Sequence, residues 1–117
     1  MIILATGDRN WADVDYVRTV LESLPSGDHT LIHGDARGLD RIAGRVARDL
    51  GWKVYAFPAG WNAWGRAAGP IRNQEMLEVG KPDLVLAFHR DLERSKGTRD
   101  MVQRARRAGI EVRHFTG

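Results

Sequence analysis

Glycine lies close to a basic residue in three segments of this chain, and two of the three also contain a hydroxyl residue. Residues 6–9 read Thr-Gly-Asp-Arg, where Gly7 permits a tight turn and Arg9 can pair with an anion. Residues 34–40 and residues 95–98 combine glycine with arginine, lysine, serine or threonine. Backbone N–H groups, cations and hydroxyls are the donors that bind phosphate. The three segments indicate anion-binding turns, although residues 6–9 alone are equally typical of a turn with a surface ion pair.

The segment 34–40 contains two glycines, an arginine and two aspartates directly before a helical pattern. A phosphate is expected to accept hydrogen bonds from the N–H groups of Gly34, Ala36 and Gly38 and from the guanidinium of Arg37. Asp35 or Asp40 is expected to accept hydrogen bonds from ribose hydroxyls. The segment matches neither the dinucleotide motif G-x-G-x-x-G nor the P-loop G-x-x-x-x-G-K-[ST], so it predicts neither ordinary NAD binding nor ATP hydrolysis.

The segment 95–98 precedes the last helical pattern of the chain. It is expected to bind a second phosphate through Ser95, Lys96, Gly97 and Thr98. The alternative is that Thr98 only caps the helix, which is a common role of threonine. A comparable segment at residues 34–40 favours phosphate binding. Arg72 and Asn73 stand in the first turn of another predicted helix, which is also an anion-binding position, and Arg72 is expected to contact phosphate.

Trp61 and Trp64 lie in the one long irregular segment that the sequence predicts, residues 59–69. They are expected either to stack on the base of a nucleotide or to be buried between two copies of the chain. His33 and His89 each end a predicted strand, but no spacing of histidines or carboxylates indicates a metal site. The chain has no cysteine, which excludes thiolate nucleophiles and cysteine-based zinc sites. Neither a metal nor a cofactor is expected.

Five apolar runs of strand length separate these segments, at residues 2–6, 30–33, 53–57, 84–88 and 110–115. Helical patterns alternate with them. The alternation predicts a small α/β fold, a Rossmann-like doubly wound parallel sheet of about five strands with helices on both faces. In such a sheet ligands bind beyond the carboxyl ends of the strands, where the segments described above fall.

The helical patterns have recognisable ends. Asn10 with Asp13 resembles a capping box before the first helix, which should stop near Pro25. The second helix is expected to end at Gly51, and the third to begin near Pro70. The apolar residues of the third helix are Ile71, Met76, Leu77 and Val79. The last helix is expected to begin near Thr98 and to bury Met101, Val102, Ala105 and Ala108.

Composition limits the alternatives. A chain of 117 residues forms one domain, residues 1–117, and no apolar run reaches the length of a signal peptide or a membrane span. A cytoplasmic protein without membrane contact is therefore expected. Fifteen of the 18 basic residues are arginine, which reflects either anion binding or a GC-rich genome. The formal net charge of +3 permits nucleic-acid binding but does not demand it.

The order of the motifs resembles a known family. The motifs are Thr-Gly-x-Arg at residues 6–9, His-Gly-Asp-Ala-Arg-Gly-Leu-Asp at 33–40, Gly-Pro-Ile-Arg-Asn at 69–73 before Met76, and Ser-Lys-Gly-Thr at 95–98 before Asp100 and Met101. Together they resemble the YspA/cpYpsA-related SLOG family, also known as DUF2493, over essentially the whole chain. That superfamily includes LOG phosphoribohydrolases, which cleave the N-glycosidic bond of nucleoside 5′-monophosphates, DNA-binding DprA proteins and sensors of nucleotide-derived signals. The resemblance implies a Rossmann-like fold, a nucleotide-derived ligand and a homodimer.

The resemblance does not carry the LOG reaction with it. LOG enzymes contain Pro-Gly-Gly-x-Gly-Thr-x-x-Glu, whose Gly-Thr corresponds to Gly97 and Thr98, but here the Pro-Gly-Gly is missing and Met101 takes the place of the glutamate. A thioether cannot act as an acid or a base. The candidate catalytic carboxylates are Asp100, Asp40 and Asp35. Three hypotheses follow: a nucleotide-binding sensor, a LOG-like N-glycosidic hydrolase, and a DprA-like nucleic-acid-binding or protein-interaction module.

Overall fold

Five parallel strands form a single sheet at the centre of the molecule, which a computed structural model describes over all 117 residues. The strands are β1 (Ile2–Gly7), β2 (Thr30–His33), β3 (Lys53–Ala56), β4 (Leu84–Phe88) and β5 (Glu111–Phe115). Their order across the sheet is β3-β2-β1-β4-β5, and every neighbouring pair is parallel. The predicted α/β class and all five predicted strands are confirmed.

Helices cover both faces of the sheet. They are α1 (Val14–Glu22), α2 (Leu39–Asp49), α3 (Trp61–Trp64), α4 (Ala68–Gly80) and α5 (Gly97–Arg107), with 3-10 turns at Gly65–Ala67 and Leu92–Arg94. Apolar residues of α1 and α2 pack with Ile3, Ala5 and Leu86 on one face. Those of α4 and α5 pack with Leu4 and Val85 on the other. This confirms the doubly wound arrangement, and no helix is long and apolar enough to cross a membrane.

The position of each strand explains its composition. The strands β1, β2 and β4 are apolar almost throughout because helices cover both of their faces, and β4 is buried along its whole length. The edge strands β3 and β5 carry exposed polar residues, including Lys53 and Glu111. Successive side chains of β1, such as Ile3 and Leu4, enter opposite cores.

The order of the strands reverses between β1 and β4. From β1 the chain adds β2 and then β3 on one side, crosses back over the sheet, and adds β4 and β5 on the other. The loops that leave β1 and β4 therefore diverge, and a crevice forms between them at the carboxyl edge. The N–H of Asp8 donates to the carbonyl oxygen of Phe88 at 2.9 Å, so the two strands stay paired up to that crevice.

Two local predictions are wrong. The residue that caps α1 is Asp13, whose Oδ1 accepts the N–H of Tyr16 at 3.0 Å, because the helix begins only at Val14. Asn10 instead belongs to the preceding turn, where its N–H donates to Asp8 Oδ1 at 2.8 Å. The segment 59–69 is not irregular, since it contains α3, a 3-10 turn and the start of α4.

The apolar faces of the last two helices are narrower than predicted. Met76 and Leu77 of α4 are buried, but Ile71 and Val79 are exposed because they lie on the side of α4 that no element covers. In α5 the buried residues Met101, Val102 and Ala105 agree with the prediction. Ala108 is exposed because it follows the last helical residue, in the turn that leads to β5.

Candidate functional site

A cleft of about 920 Å³ opens at the carboxyl edge of the sheet, beyond β1 and β4. It is bounded by the loops that follow β1, β2 and β4 and by the first turns of α4 and α5. The residues predicted for the site that line this cleft are Gly7, Arg9, Ala36, Arg37, Asp40, Trp61, Arg72, Asn73, Ser95, Lys96, Gly97, Thr98 and Asp100. Gly34 lines a smaller adjoining pocket. Asp35, Gly38 and Trp64 line neither.

Asp40 lies buried in the first turn of α2 and organises the loop before that helix. Its Oδ2 accepts the N–H of Gly34 at 3.0 Å and that of Ala36 at 3.3 Å. Two of the N–H groups that the sequence assigned to a phosphate thus donate to this carboxylate. Burial raises the pKa of Asp40 to about 6, although the two N–H donors and Arg72 favour its charged form. The other oxygen, Oδ1, forms no hydrogen bond within the protein.

The loop between β2 and α2 is also held by the side chain of His33. Asp35 has a positive φ of 56°, and its N–H donates to Nδ1 of His33 at 2.9 Å. His33 is buried, and burial lowers its pKa, which keeps the ring neutral and Nδ1 available as an acceptor. The Asp35 carboxylate lies 3.5 Å from Arg41. His33 therefore orients the loop rather than contacting the cleft.

Gly38 holds the loops after β1 and β2 against each other. Its φ is 75°, and a Cβ at this position would collide with the backbone carbonyl of Arg9. Next to it, the N–H of Leu39 donates to the carbonyl oxygen of Asp8 at 3.0 Å. Glycine is thus required at residue 38 for the close approach of two backbones.

Arg72 connects the first turn of α4 to the loop after β2. Its Nη1 donates to the carbonyl oxygen of Gly34 at 2.6 Å, and its Nε donates to Asn73 Oδ1 at 3.0 Å. Burial lowers the pKa of this guanidinium, while the carboxylate of Asp40 raises it. Arginine nevertheless stays protonated in proteins. The side chain consequently brings a fixed positive charge to the wall of the cleft.

Asn73 and Asp100 join α4 to the start of α5. The Asn73 amide donates to Asp100 Oδ2 at 2.9 Å and to the carbonyl oxygen of Gly97 at 3.3 Å. The same Asp100 oxygen accepts Nε of Arg104 at 2.9 Å. Asp100 lines the cleft, but its Oδ2 is already shared by two donors from the protein.

The loop before α5 exposes donors to the cleft. Within the loop, Ser95 Oγ accepts the N–H of Thr98 at 3.0 Å, which closes the first turn. The N–H groups of Lys96, Gly97 and Arg99 have no acceptor in the protein. Free N–H groups at the start of a helix of 11 residues bind anions.

The charges that line the cleft are unbalanced. The cations are Arg9, Arg37, Arg66, Arg72, Arg94 and Lys96, and the carboxylates are Asp8, Asp40 and Asp100. Five of the cations, Arg9, Arg37, Arg66, Arg72 and Lys96, form no ion pair with the protein. The cleft is therefore electropositive, and its free cations are available to an anionic ligand.

The two tryptophans have different surroundings. Trp61 is half exposed, and the guanidinium carbon of Arg9 lies 6.0 Å from its ring centroid. It forms part of the cleft wall, where a planar group can stack on it. Trp64 is 60% exposed and lies outside the cleft.

Sequence reasoning did not select several residues that the fold brings to the cleft. Asp8 and His89 directly follow β1 and β4, and Nε2 of His89 lies 3.9 Å from Asp8 Oδ2. His89 Nδ1 accepts the N–H of Asp91 at 3.0 Å. Knowing that the strand order reverses between β1 and β4 would have pointed to both residues. Arg66 and Arg94 also line the cleft, from loops distant in sequence.

Comparisons with known proteins place the chain in a family. Residues 1–64, more than half of the chain, match the profile of the YspA, cpYpsA-related SLOG family. This chain belongs to that family. The matched region contains β1, β2 and β3 and the segments 6–9 and 34–40. The family resemblance inferred from the motifs is thus confirmed.

Two similar proteins extend the comparison. The Gene 61 protein of Mycobacterium phage D29 is 40% identical over 124 residues, which cover 97% of this SLOG-family chain and 94% of that protein. The structure of DNA processing protein A (DprA) from Streptococcus pneumoniae superposes with a TM-score of 0.78 at 19% identity. The superposition covers 98% of this chain and 50% of the DprA chain. The likeness to DprA shows the fold alone.

Proposed function

We propose that this protein binds a nucleotide or a nucleotide-derived ligand in the cleft and acts as a sensor of that ligand. Membership of the SLOG family suggests a nucleotide-related role. The observation that carries the proposal is the start of α5, where the N–H groups of Lys96 and Gly97 have no acceptor in the protein and the Lys96 ammonium forms no ion pair. Both residues line the cleft. This set of donors suits a phosphate group.

The rest of the cleft supplies what a nucleoside needs. Asp40 Oδ1 is an acceptor without a partner in the protein, and we assign it to a ribose hydroxyl. Trp61 is exposed at the wall of the cleft and offers a face for a base. A cleft of about 920 Å³ lies within the range of pockets that bind small ligands.

Isothermal titration calorimetry with AMP, ADP-ribose, NAD and cyclic nucleotides tests this proposal. We expect at least one of them to bind, and Lys96→Ala to weaken its binding by about 10-fold to 100-fold, because a hydrogen bond to a charged group contributes about 1.5–3 kcal/mol. The matched control is Lys53→Ala, an exposed lysine at the start of β3 and outside the cleft. Failure of the folded protein to bind any nucleotide in the panel would contradict the proposal.

A second candidate function is hydrolysis of the N-glycosidic bond of such a nucleotide. The observation that favours it is Asp40, a buried carboxyl group in the cleft whose pKa is raised to about 6. A general base is most effective when its pKa lies near the pH of the reaction. In this reaction the oxygen of water bonds to the anomeric carbon as the bond to the base breaks. A carboxylate takes one proton from the water, the departing base takes up one proton from the solvent, and the carboxylic acid returns its proton to the solvent.

Chromatography of nucleoside 5′-monophosphates incubated with the protein decides whether free base is released. If Asp40 is the general base, the rate rises as the pH increases through about 6, and Asp40→Asn abolishes release while the nucleotide still binds. Release that is no faster than in the double variant Asp40→Asn, Asp100→Asn excludes the reaction. The same protein titrated with a labelled single-stranded oligonucleotide at two salt concentrations tests the nucleic-acid-binding hypothesis.

We further propose a homodimer. Trp64 is 60% exposed, although the tryptophan side chain is large and mostly apolar. Exposed apolar surface of this kind is typical of a contact with another protein molecule. Light scattering checks this directly, since a monomer has a mass of 13.1 kDa. If the dimer uses this surface, Trp64→Gln shifts the measured mass toward the monomer.

A further inference from the structure

A second pocket of about 290 Å³ adjoins the cleft on the side of α2, and we call it the side pocket. Four arginines line it together with two small residues and one tryptophan: Arg9, Arg37, Arg41, Arg72, Gly34, Ala36 and Trp61. It shares most of these residues with the cleft, so the two spaces adjoin each other. Arg41 and Gly34 belong to the side pocket alone.

The side pocket differs from the cleft in its charge. Three carboxylates line the cleft, but no carboxylate lines the side pocket. Arg9 and Arg37 form no ion pair. Arg41 lies 3.5 Å from the Asp35 carboxylate, a largely exposed pair of the kind that contributes little. Four guanidinium groups around so small a space repel one another, and an anion placed between them would relieve that repulsion.

The side pocket is also separate from the loop before α5. None of the residues 94–98 lines it, whereas all five line the cleft. An anion held by the arginines would therefore occupy a different position from a phosphate bound at the start of α5. Planar guanidinium groups bind phosphate through paired hydrogen bonds. The ring of Trp61, 6.0 Å from the Arg9 guanidinium carbon, helps to hold that arginine at the wall.

We propose that the side pocket binds a second phosphate group of the same ligand, so that the ligand is a small nucleotide derivative with two phosphate groups. This inference rests on the proposed function, because the first phosphate is the one at the start of α5. It goes beyond that proposal in two ways. It names Arg41 as a specificity residue, and it states that the preferred ligand is not a nucleotide with a single phosphate.

The test compares affinities for AMP with those for ADP, adenosine 3′,5′-bisphosphate and ADP-ribose by isothermal titration calorimetry. We expect at least one ligand with two phosphates to bind 10-fold or more tightly than AMP, as an added charge-assisted contact would give. In Arg41→Gln and in Arg37→Gln, the affinity for that ligand should exceed the affinity for AMP by less than about threefold. The matched control is Arg45→Gln, an exposed arginine of α2 outside both spaces, in which the ratio of the two affinities is unchanged.

Each outcome has a distinct meaning. Equal affinities for AMP and for every ligand with two phosphates overturn the inference and leave the proposed function intact. A preference that persists in both arginine variants also overturns it, because the side pocket would then not cause the preference. Tighter binding of a single-stranded oligonucleotide than of any small ligand assigns the arginines to nucleic acid instead. Failure of every nucleotide to bind the folded protein rejects the proposed function and the inference together.

Discussion

The loops before α2 and α5 both combine glycine with a basic residue, but they use their backbones differently. We call residues 34–38 the α2 loop and residues 95–98 the α5 loop. In the α2 loop the N–H groups of Gly34 and Ala36 donate to Asp40, and that of Asp35 donates to His33. In the α5 loop the N–H of Ser95 donates to the carbonyl oxygen of Leu92 and that of Thr98 to the hydroxyl of Ser95, while those of Lys96 and Gly97 have no acceptor.

The difference teaches that glycine and basic residues before a helix do not by themselves make a backbone anion site. A carboxylate in the first turn of α2 takes the N–H donors that an anion would otherwise use, and the α2 loop is left to contribute side chains such as Arg37. The α5 loop has no such internal acceptor and contributes its backbone. The two loops therefore offer a ligand two chemically different surfaces.

The loops also differ in how closely they are packed. At Gly38 in the α2 loop a Cβ would collide with the backbone of Arg9, and φ is positive. At Gly97 in the α5 loop no atom lies within 4 Å of the position of a Cβ, and φ is ordinary. Substitutions at these two glycines test whether one loop is rigid and the other open.

The largest effect is expected for Gly38→Ala. A positive φ costs an alanine about 1–2 kcal/mol, and displacing the backbone of Arg9 costs a further 1–3 kcal/mol, so the free energy of unfolding should fall by about 4 kcal/mol. Urea denaturation followed by tryptophan fluorescence measures it. The control is Gly51→Ala, with a φ of 82° and no atom within 4 Å, which should cost only about 1–2 kcal/mol. Equal losses in the two variants would show that the α2 loop does not pack closely against the loop that follows β1.

A somewhat smaller effect concerns pH. The folded pKa of Asp40 is raised from 3.8 to about 6, so folding favours the protonated carboxyl. The stabilisation that the protonated Asp40 gives the folded state is fully present below pH 3.8 and is lost as the pH rises through about 6. Relative to Asp40→Asn, the wild-type free energy of unfolding should fall by on the order of 2 kcal/mol between pH 4 and pH 7.

Urea denaturation of both proteins at the two pH values measures this difference. The matched control is Asp28→Asn, which alters an exposed aspartate outside the cleft. If the difference between the wild type and Asp40→Asn stays constant with pH, Asp40 is not the buried acceptor that organises the α2 loop.

The smallest effect is expected for Gly97→Ala. The new methyl group meets no atom and the backbone conformation suits any residue, so the protein should be stabilised by about 0.5 kcal/mol through the unfolded chain. The same denaturation experiment measures it. A loss of more than about 1 kcal/mol would show that the α5 loop is packed as closely as the α2 loop.

Local patterns predicted the elements well but their ends less well. The apolar runs of β1, β2 and β4 are continuous because both faces of these strands are buried. A continuous apolar run is visible in the sequence, so these strands could be predicted from it. Asn10 and Asp13 are both good capping residues, and local rules do not choose between them. The exposure of Ile71 depends on which side of α4 another element covers.

The site was predictable in part. The turns after β1, β2 and β4 and the starts of α4 and α5 were expected at one edge because parallel strands bring their carboxyl ends together. The pairing of Arg72 with the carbonyl oxygen of Gly34 joins residues 38 apart in the chain, so no local pattern contains it. The roles of Asp8 and His89 as neighbours likewise depend on β1 pairing with β4.

The sequence by itself determined the elements, the fold class and the family, because hydrophobic periodicity and short motifs are local properties of the chain. Only the tertiary structure decided which donors face the cleft. A backbone N–H is free or satisfied according to what folds against it, and Asp40 satisfies two in the α2 loop while nothing satisfies Lys96 or Gly97 in the α5 loop. The grouping of Arg9, Arg41 and Arg72 around one pocket depends in the same way on contacts between distant elements.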